Sequence, residues 1–297
     1  MEYNLKSIRE DFKAKGVFYT DTALAERLKT LVGSCHEVYD PTCGSGNLLA
    51  VFDDDMKKYG QELNPEQLQV CRERLKNFEG VSGDTLVSPA FMERKFEAIV
   101  ANPPFSVKWN PQPDERFTGV PCLPPPSKAD YAFLLHILYL LADNGRAAVL
   151  NFPGILYRGS REGKIREWLV EQNVIERVEY IPGGHFVDTS IATCIIVLNK
   201  AKSTTDIVMC DVEKGKDRTV SIDEIRSNDY NLSVNSYIVE ETPVKVVDPW
   251  ELECKARADA VKRIKAEIEF SIMVSGFEGW DVSPFLDELK DVIDSFR

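Results

Sequence analysis

The segment HEVYDPTCGSGN, residues 36–47, gives the clearest indication of the fold of this 297-residue chain. Its apolar start is typical of a buried strand, which ends at the carboxylate of Asp40. A turn with Gly44, Ser45 and Gly46 follows, and a short helix is predicted from Leu48. Glycine in such a turn lets the backbone come close to a ligand. Because many tight turns also need glycine, this segment is weak evidence for a nucleotide pocket until its neighbours support it.

Strand and helix patterns alternate beyond this segment. Short apolar runs predict strands at 36–39, 58–63, 97–101, 146–152, 175–181 and 191–198. Helical patterns lie between most of them, at 22–31, 65–78, 129–141 and 161–171. Asp21 and Asn64 are the predicted N-caps of the first two helices. This alternation indicates an α/β fold in which helices cover both faces of a mostly parallel sheet. The loop between the last two runs is too short for a helical crossover, so the last strand should pair antiparallel.

The composition limits the class of protein. Seven cysteines without a CxxC pair predict reduced thiols, so we expect neither a disulfide framework nor a metal site. The chain lacks the apolar run of a signal peptide and any stretch that would span a membrane, which predicts a soluble, cytoplasmic protein. A formal net charge of -12 opposes the nucleic-acid backbone. If the chain works on DNA, a partner should help it to bind.

Two further acidic residues lie at predicted strand ends. Glu62 ends the next strand, about 20 residues after the first turn, where a carboxylate can accept both hydroxyls of a ribose. Asp84 closes the segment VSGD, and the glycine turn holds no Lys or Arg, which a phosphate cradle would need. Each acid alone is better explained as a solvated strand end or an N-cap. Together they suit S-adenosylmethionine, with Asp40 toward the methionine end, Glu62 on the ribose and Asp84 on the adenine amino group.

The segment FEAIVANPPFS brings Asn102, Pro103, Pro104 and Phe105 to the same predicted edge of the sheet. The amino nitrogen of adenine is a poor nucleophile until acceptors hold its two hydrogens. The Asn102 side-chain oxygen and the Pro103 carbonyl can be those acceptors. Consecutive prolines fix φ and hold that carbonyl in place, and Phe105 can stack on a base flipped out of a duplex. Alone this segment would indicate a turn; after a candidate cofactor site it predicts methylation of adenine.

The sequence resembles the catalytic domain of the modification subunit of type I restriction-modification systems, which are N6-adenine DNA methyltransferases. The resemblance covers nearly all of residues 12–240. It rests on GVFYTD (16–21), DPTCGSGN (40–47), YGQELNP (59–65), GDTL (83–86), ANPPF (101–105), SKADYAFLLH (127–136), NGRAAVLNFPGILYRG (144–159) and IPGGHFVDTSIATCIIVLNK (181–200).

The resemblance implies a class I S-adenosylmethionine-dependent methyltransferase fold, a mostly parallel seven-stranded sheet whose last strand is antiparallel. It adds Phe18, Tyr19 and Thr20 as candidate cofactor contacts. It also implies that DNA is the substrate, that a separate specificity subunit reads the target sequence, and that a restriction subunit can accompany the complex. The family's N-terminal helical domain has no counterpart before residue 16, and no target-recognition domain of obvious size follows the catalytic part.

The sequence changes character near Pro243. Charged helical patterns at 248–272 and 284–296 predict a short helical tail. We therefore expect a catalytic domain at 1–240 and a C-terminal tail at 241–297. The tail either packs on the catalytic domain or docks a partner, and the sequence favours neither.

Two other functions fit the same motifs. RNA base and protein glutamine methyltransferases also present planar NH2 groups to Asn-Pro-Pro-aromatic segments. A cofactor-binding assembly subunit, inactive alone, is the non-enzymatic alternative.

Basic residues near the predicted site are candidate phosphate contacts. They are Arg158, Arg161, Lys164 and Arg166, with Lys108, Arg116 and Lys128 in the proline-rich insertion. A solvated helix face is the usual explanation of such a run, so DNA contact is a hypothesis that charge reversal would test.

Overall fold

The described part of the first unit of the molecule is built on one sheet of nine strands. The computed structural model describes residues 21–184, 191–239 and 248–295, and the chain divides into two compact units at residue 239. The strands of the first unit are β1 (Glu37–Asp40), β2 (Lys57–Glu62), β3 (Phe78–Ser82), β4 (Phe96–Ala101), β5 (Leu141–Asn151), β6 (Ile175–Ile181), β7 (Thr193–Asn199), β8 (Ile207–Asp211) and β9 (Lys216–Val220).

The strand order is β3-β2-β1-β4-β5-β7-β6-β8-β9. The strands from β3 to β5 in that order are all mutually parallel. Strand β7 runs antiparallel between β5 and β6. The predicted class I methyltransferase fold is therefore confirmed, including its antiparallel strand. Strands β8 and β9 extend this seven-stranded sheet beyond β6.

Helices cover both faces of the sheet. The helices found in the described residues of the first unit are α1 (Thr22–Val32), α2 (Pro65–Arg74), α3 (Asp130–Leu140), α4 (Ser160–Glu171) and α5 (Ile222–Ser227). Leu28 of α1 and Leu68 of α2 are buried in the core of one face, and Leu135 of α3 and Leu169 of α4 in the core of the other. The side chains of β4 alternate between these two cores, as the period of two in a strand requires.

The predicted N-caps are confirmed. The Asp21 side chain accepts a hydrogen bond from the N–H of Ala23 at 3.1 Å. Asn64 accepts one from the N–H of Glu66 at 2.9 Å, and Pro65 occupies the first turn, where its missing N–H costs nothing.

The helix prediction for 65–78 was too long, and three strands were missed. Helix α2 ends at Arg74, and Phe78 begins β3. Strands β3 and β9 lie at the two edges of the sheet and are mostly exposed. Edge strands need little apolar sequence because only part of their surface is covered. The sequences of β3 and β9 therefore did not indicate strands. Strand β8 is apolar, so it could have been recognised as a strand from the sequence.

In the second unit, residues 248–295 are described and form two helices. Helix α6 (Pro249–Glu278) begins at the N-cap Asp248 and ends at Gly279, which is left-handed at φ 71°. Helix α7 (Ser283–Ser295) follows. Large apolar side chains are exposed along both helices and in the turn between them: Trp250, Leu252, Val261, Ile264, Phe270, Ile272, Met273, Phe277, Trp280, Phe285, Val292 and Ile293.

Among the described residues, none of the helices combines the length and the apolar character needed to cross a bilayer.

Candidate active site at the carboxyl edge of the sheet

The glycine turn and the Asn-Pro-Pro-Phe segment leave neighbouring strands at one edge of the sheet. Strand β1 pairs with β4 in parallel, with Val38 opposite Ala98 and Tyr39 opposite Ile99. Strand β2 lies on the other side of β1, and β3 beyond it. The carboxyl ends of parallel strands meet at the same edge. The structure therefore brings the three acidic positions and the predicted catalytic segment to one edge.

The glycine turn has the conformation that its sequence predicts. Gly44 has φ 52° and Gly46 has φ 83°. A Cβ added to Gly46 would lie 2.8 Å from Cys71 Sγ, so this glycine is needed for packing against α2. A Cβ added to Gly44 would meet nothing within 4 Å, so the turn faces open space there. Gly44 and the half-buried Ser45 thus present backbone to a space that a ligand can fill.

Glu62 ties the end of β2 to the glycine turn. One carboxylate oxygen accepts the N–H of Gly44 at 2.8 Å, and the other accepts the N–H of Asn64, also at 2.8 Å. A carboxylate can accept about four hydrogen bonds, so Glu62 keeps acceptor capacity for hydroxyl groups. The sequence did not indicate this bond to Gly44, which sets the shape of the turn.

Asp40 is a buried carboxylate beneath the same turn, with 1% of its surface exposed. It accepts the N–H of Thr42 at 2.9 Å. Burial raises the pKa of Asp40 to about 7, and the nearby charge of Glu62 adds to that rise, while the hydrogen bond from Thr42 opposes it. A cation bound nearby would favour the ionised form. Asp40 therefore fits the positively charged end of the expected cofactor.

Asp84 shapes the loop that follows β3. Its carboxylate accepts the N–H of Leu86 at 2.8 Å, as an N-cap would. The next residue, Thr85, donates to the carbonyl of Pro41 at 2.5 Å and so joins this loop to the glycine segment. This bond fixes the loop of Asp84, predicted to bind the adenine end of the cofactor, relative to the glycine segment, predicted to bind its methionine end.

The segment Asn102–Phe105 leaves β4 at this edge. Pro103 is buried, and the side chains of Asn102, Pro104 and Phe105 are partly exposed. Phe105 packs against the core on the α1 side of the sheet. The structure therefore places all four predicted catalytic residues beside the cofactor turn.

Three arginines that the sequence offered as phosphate contacts have structural partners instead. Arg116 is buried and donates to the carbonyls of Thr85 and Leu86, both at 2.8 Å. Arg166 is buried and donates to the carbonyl of Arg158 at 2.7 Å. Arg158 pairs with Asp130 at 2.9 Å. For these three arginines the hypothesis of phosphate contact loses support, because their guanidinium groups already bind other groups of the protein. Arg161 and Lys164 are exposed, and for them the hypothesis stands.

Arg116 joins the proline-rich insertion directly to the cofactor loop, and it also contacts a neutral histidine. Its guanidinium lies 3.3 Å from Nδ1 of the buried His136. Burial, together with the charge of Arg116, lowers the pKa of His136 to about 3. His136 is therefore uncharged and can accept this hydrogen bond. The sequence gave no signal of this contact, because a buried arginine and an exposed one look alike in sequence.

Phe18, Tyr19 and Thr20 lie outside the described residues. Their predicted contact with the cofactor stays a prediction. Among the described residues, no group of His, Cys, Asp and Glu side chains is arranged to hold a metal ion.

The arrangement fits S-adenosylmethionine. An open glycine turn can lie against the methionine part, a buried carboxylate favours positive charge, and two further carboxylates follow the next two strands. A polar amide and a stacking aromatic side chain lie on the adjacent loop. Such a site can hold a cationic cofactor next to a planar amino group.

Comparison with known proteins gives a consistent result. The sequence pattern of the family described as N-6 DNA Methylase matches residues 1–219. The chain is 33% identical over 300 residues to the type I restriction enzyme MpnII methylase subunit of Mycoplasma pneumoniae, covering 80% of this chain and 55% of that protein. It is 27% identical to the HindI methylase subunit of Haemophilus influenzae, covering 64% of this chain and 47% of that protein.

A solved structure is similar as well. The type I restriction-modification methyltransferase subunit of Streptococcus thermophilus has a TM-score of 0.68 and 30% sequence identity, covering 74% of this chain and 59% of that one. This chain spans about half the length of the curated relatives that it matches.

Replacing Gly44 tests the open turn. Asparagine tolerates positive φ better than other side chains, and the Cβ position is unobstructed, so Gly44→Asn should leave the melting temperature within a few degrees. Its side chain would fill the space next to the turn, so we expect at least a tenfold loss of S-adenosylmethionine affinity by calorimetry. Gly119→Asn, at another open glycine with positive φ, is the matched control and should bind normally. Equal affinity of both variants would show that the cofactor does not lie against Gly44.

The raised pKa of Asp40 predicts pH-dependent cofactor affinity. A cation favours the ionised carboxylate, so affinity should rise about tenfold between pH 6 and pH 8. Asp40→Asn should bind weakly and without this pH dependence. The folded-state pKa lies above that of the unfolded chain, so the free protein loses stability as pH rises from about 4 through about 7. In urea unfolding, the free energy of unfolding of Asp40→Asn should fall less over this pH range than that of the wild type. Wild-type affinity that does not change with pH would exclude this role.

Proposed function

Because this chain belongs to the N-6 DNA methylase family, we propose that it transfers a methyl group from S-adenosylmethionine to the N6 amino group of adenine in DNA. One observation carries the proposal. The cofactor turn after β1 and the Asn102–Phe105 segment after β4 leave directly paired parallel strands. The two reactants of a methyl transfer would therefore be held side by side, which is what a displacement reaction needs.

The residues of the site have distinct roles in this proposal. When bound, S-adenosylmethionine supplies an electrophilic methyl group. The Asn102 side-chain oxygen and the Pro103 carbonyl accept the two hydrogens of the adenine amino group, which frees its lone pair for attack. Pro104 restricts the backbone that carries the Pro103 carbonyl. Phe105 stacks on the flipped base and recovers part of the cost of unstacking it.

The cofactor contacts follow the order of the strands. Gly44, Ser45 and Gly46 bring backbone to the methionine part, and Asp40 favours its positive charge. Glu62 accepts from the ribose hydroxyls, and Asp84 accepts from the adenine amino group. Phe18, Tyr19 and Thr20 complete the methionine end.

The chain acts as the modification subunit of a type I restriction-modification system in this proposal. Its net charge of -12 disfavours binding to DNA on its own. A specificity subunit would supply the sequence reading and much of the DNA contact, and a restriction subunit can join the same complex. The substrate is genomic DNA, so the cytoplasmic location expected from the sequence belongs to the proposal.

The catalytic domain at 1–240 carries this chemistry, and the tail at 241–297 docks the partner. Helices α6 and α7 expose a set of large apolar side chains that a helical unit of this size would otherwise bury. Helix α7 carries Phe285, Val292 and Ile293 at helical spacing, and an amphipathic helix that lays its apolar side chains on a partner is a common recognition mode. The exposed side chains support the docking role proposed for the tail.

Methylation in cells tests the activity. DNA from a methylation-free host that expresses the chain with and without its specificity partner would be analysed for methyladenine by mass spectrometry. We expect methyladenine only with the partner. Asn102→Ala should lower it roughly a hundredfold or more, because one acceptor that stabilises the transition state is lost. Asn110→Ala, an exposed asparagine of the insertion, is the control.

Each outcome separates the alternatives. Methyladenine without the partner would mean a self-sufficient enzyme. If neither condition gives methyladenine, labelled-cofactor assays on RNA and protein would decide between another substrate and an inactive assembly subunit.

The docking role of the tail has its own test. Phe270 is 65% exposed on α6, so Phe270→Asp should not unfold the chain. We expect it to weaken co-purification with the specificity subunit at least tenfold while cofactor affinity stays unchanged. Lys255→Asp, which also changes an exposed residue of α6 to aspartate, should assemble normally. Normal assembly of both variants would leave the tail without this function.

A further inference from the structure

A polar cluster joins the end of the Asn102–Phe105 segment to two helices. The next residue, Ser106, has φ 54°, a left-handed conformation that a serine rarely adopts without support. Its N–H donates to Asp130 Oδ1 at 2.7 Å, and its hydroxyl lies 3.4 Å from Asp130 Oδ2. A charged acceptor makes such a bond shorter and stronger than one between neutral groups. The Asp130 carboxylate thus holds the backbone immediately after the predicted catalytic segment.

Asp130 is itself held in place. It is the first residue of α3 and only 2% exposed, and the amino end of a helix stabilises a negative charge. Arg158 donates to Asp130 Oδ2 at 2.9 Å and to the Ser106 hydroxyl at 3.2 Å. Arg158 also pairs with Glu162 of α4 at 3.2 Å. Arg158 therefore compensates the buried charge of Asp130, and its guanidinium group contacts both Asp130 and Ser106.

The position of Arg158 is fixed from two further sides. A Cβ added to Gly154 would lie 2.6 Å from the Arg158 guanidinium, so only glycine leaves room for that side chain. Arg166 donates to the Arg158 carbonyl at 2.7 Å and to the Tyr230 carbonyl at 2.7 Å. The cluster thus rests on buried groups of the β5–α4 connection and does not depend on a flexible surface side chain.

We propose that Asp130, held by Arg158, is the positioning residue of the catalytic segment: its bond to Ser106 fixes the path of Asn102–Phe105 and so the placement of the acceptors and of Phe105. This inference rests on the proposed function. Small displacements of reacting groups cost large factors in rate. Asp130 makes no contact with a reactant in this role; it acts through Ser106.

The matched control is Glu162. It pairs with the same Arg158 but does not contact Ser106. Asp130→Ala removes the acceptor of the Ser106 N–H, Asp130→Asn keeps an oxygen acceptor there and loses the charge, and Glu162→Gln removes only the other ion pair of Arg158. If Asp130→Ala does not fold, Asp130→Ala combined with Arg158→Leu and Glu162→Gln removes all three charges of the cluster together, so that no buried charge is left unpaired.

Hydrogen–deuterium exchange of the peptide covering 101–109 tests the position directly and requires no catalytic activity. We expect at least tenfold faster exchange in Asp130→Ala, an intermediate rate in Asp130→Asn, and the wild-type rate in Glu162→Gln. Equal exchange in Asp130→Ala and Glu162→Gln would overturn the proposal.

Kinetics of the assembled enzyme test the consequence. Asp130→Ala should lower kcat for DNA methylation roughly a hundredfold, with S-adenosylmethionine affinity within about twofold of wild type, and Asp130→Asn should restore most of the rate. A proportional loss of cofactor binding and rate would instead mean general loosening of the fold and would reject the positioning role. If the wild-type complex gives no methyladenine, the proposed function fails, while the exchange result still decides whether Asp130 holds the segment.

Discussion

The parallel pairing of β1 with β4 is the constraint on which the site depends. The loops that follow parallel strands leave the sheet at the same edge. The glycine turn and the Asn-Pro-Pro-Phe segment therefore have to lie next to each other. Strands β2 and β3 extend the same edge and bring Glu62 and Asp84 to it. No residue of these loops could be placed so closely if β4 ran antiparallel or lay elsewhere in the sheet.

The carboxylates of this edge hold the loops as well as offering acceptors to a ligand. Glu62 binds the N–H of Gly44, Asp84 caps the turn after β3, and Asp130 holds Ser106. Each carboxylate accepts backbone N–H groups that a loop leaves unpaired, which lowers the cost of burying irregular backbone. The site is therefore already shaped before a ligand arrives. A preformed site needs less reorganisation when a ligand binds.

Arginine side chains also hold segments of the catalytic domain together. Arg116, Arg158 and Arg166 donate to backbone carbonyls or to a buried carboxylate, and each joins segments far apart in the sequence. Lys108, Lys128, Arg161 and Lys164 then remain as candidates for phosphate contact near the site. The net charge of -12 and the internally paired arginines support the proposal that the chain acts on DNA inside a larger assembly. The exposed apolar side chains of α6 and α7 are consistent with that view.

The sequence alone indicates the alternation of strands and helices, the antiparallel β7, the glycine turn and the Asn102–Phe105 segment, because periodicity, glycine and proline act locally. It did not reveal β3 or β9, whose edge positions need little apolar sequence. It also did not separate the buried Arg116 and Arg166 from the exposed Arg161, since identical side chains differ only in what surrounds them. The bonds from Gly44 to Glu62 and from Ser106 to Asp130 depend on the tertiary structure. Their partners lie on different strands, loops and helices, which meet only once the sheet has formed.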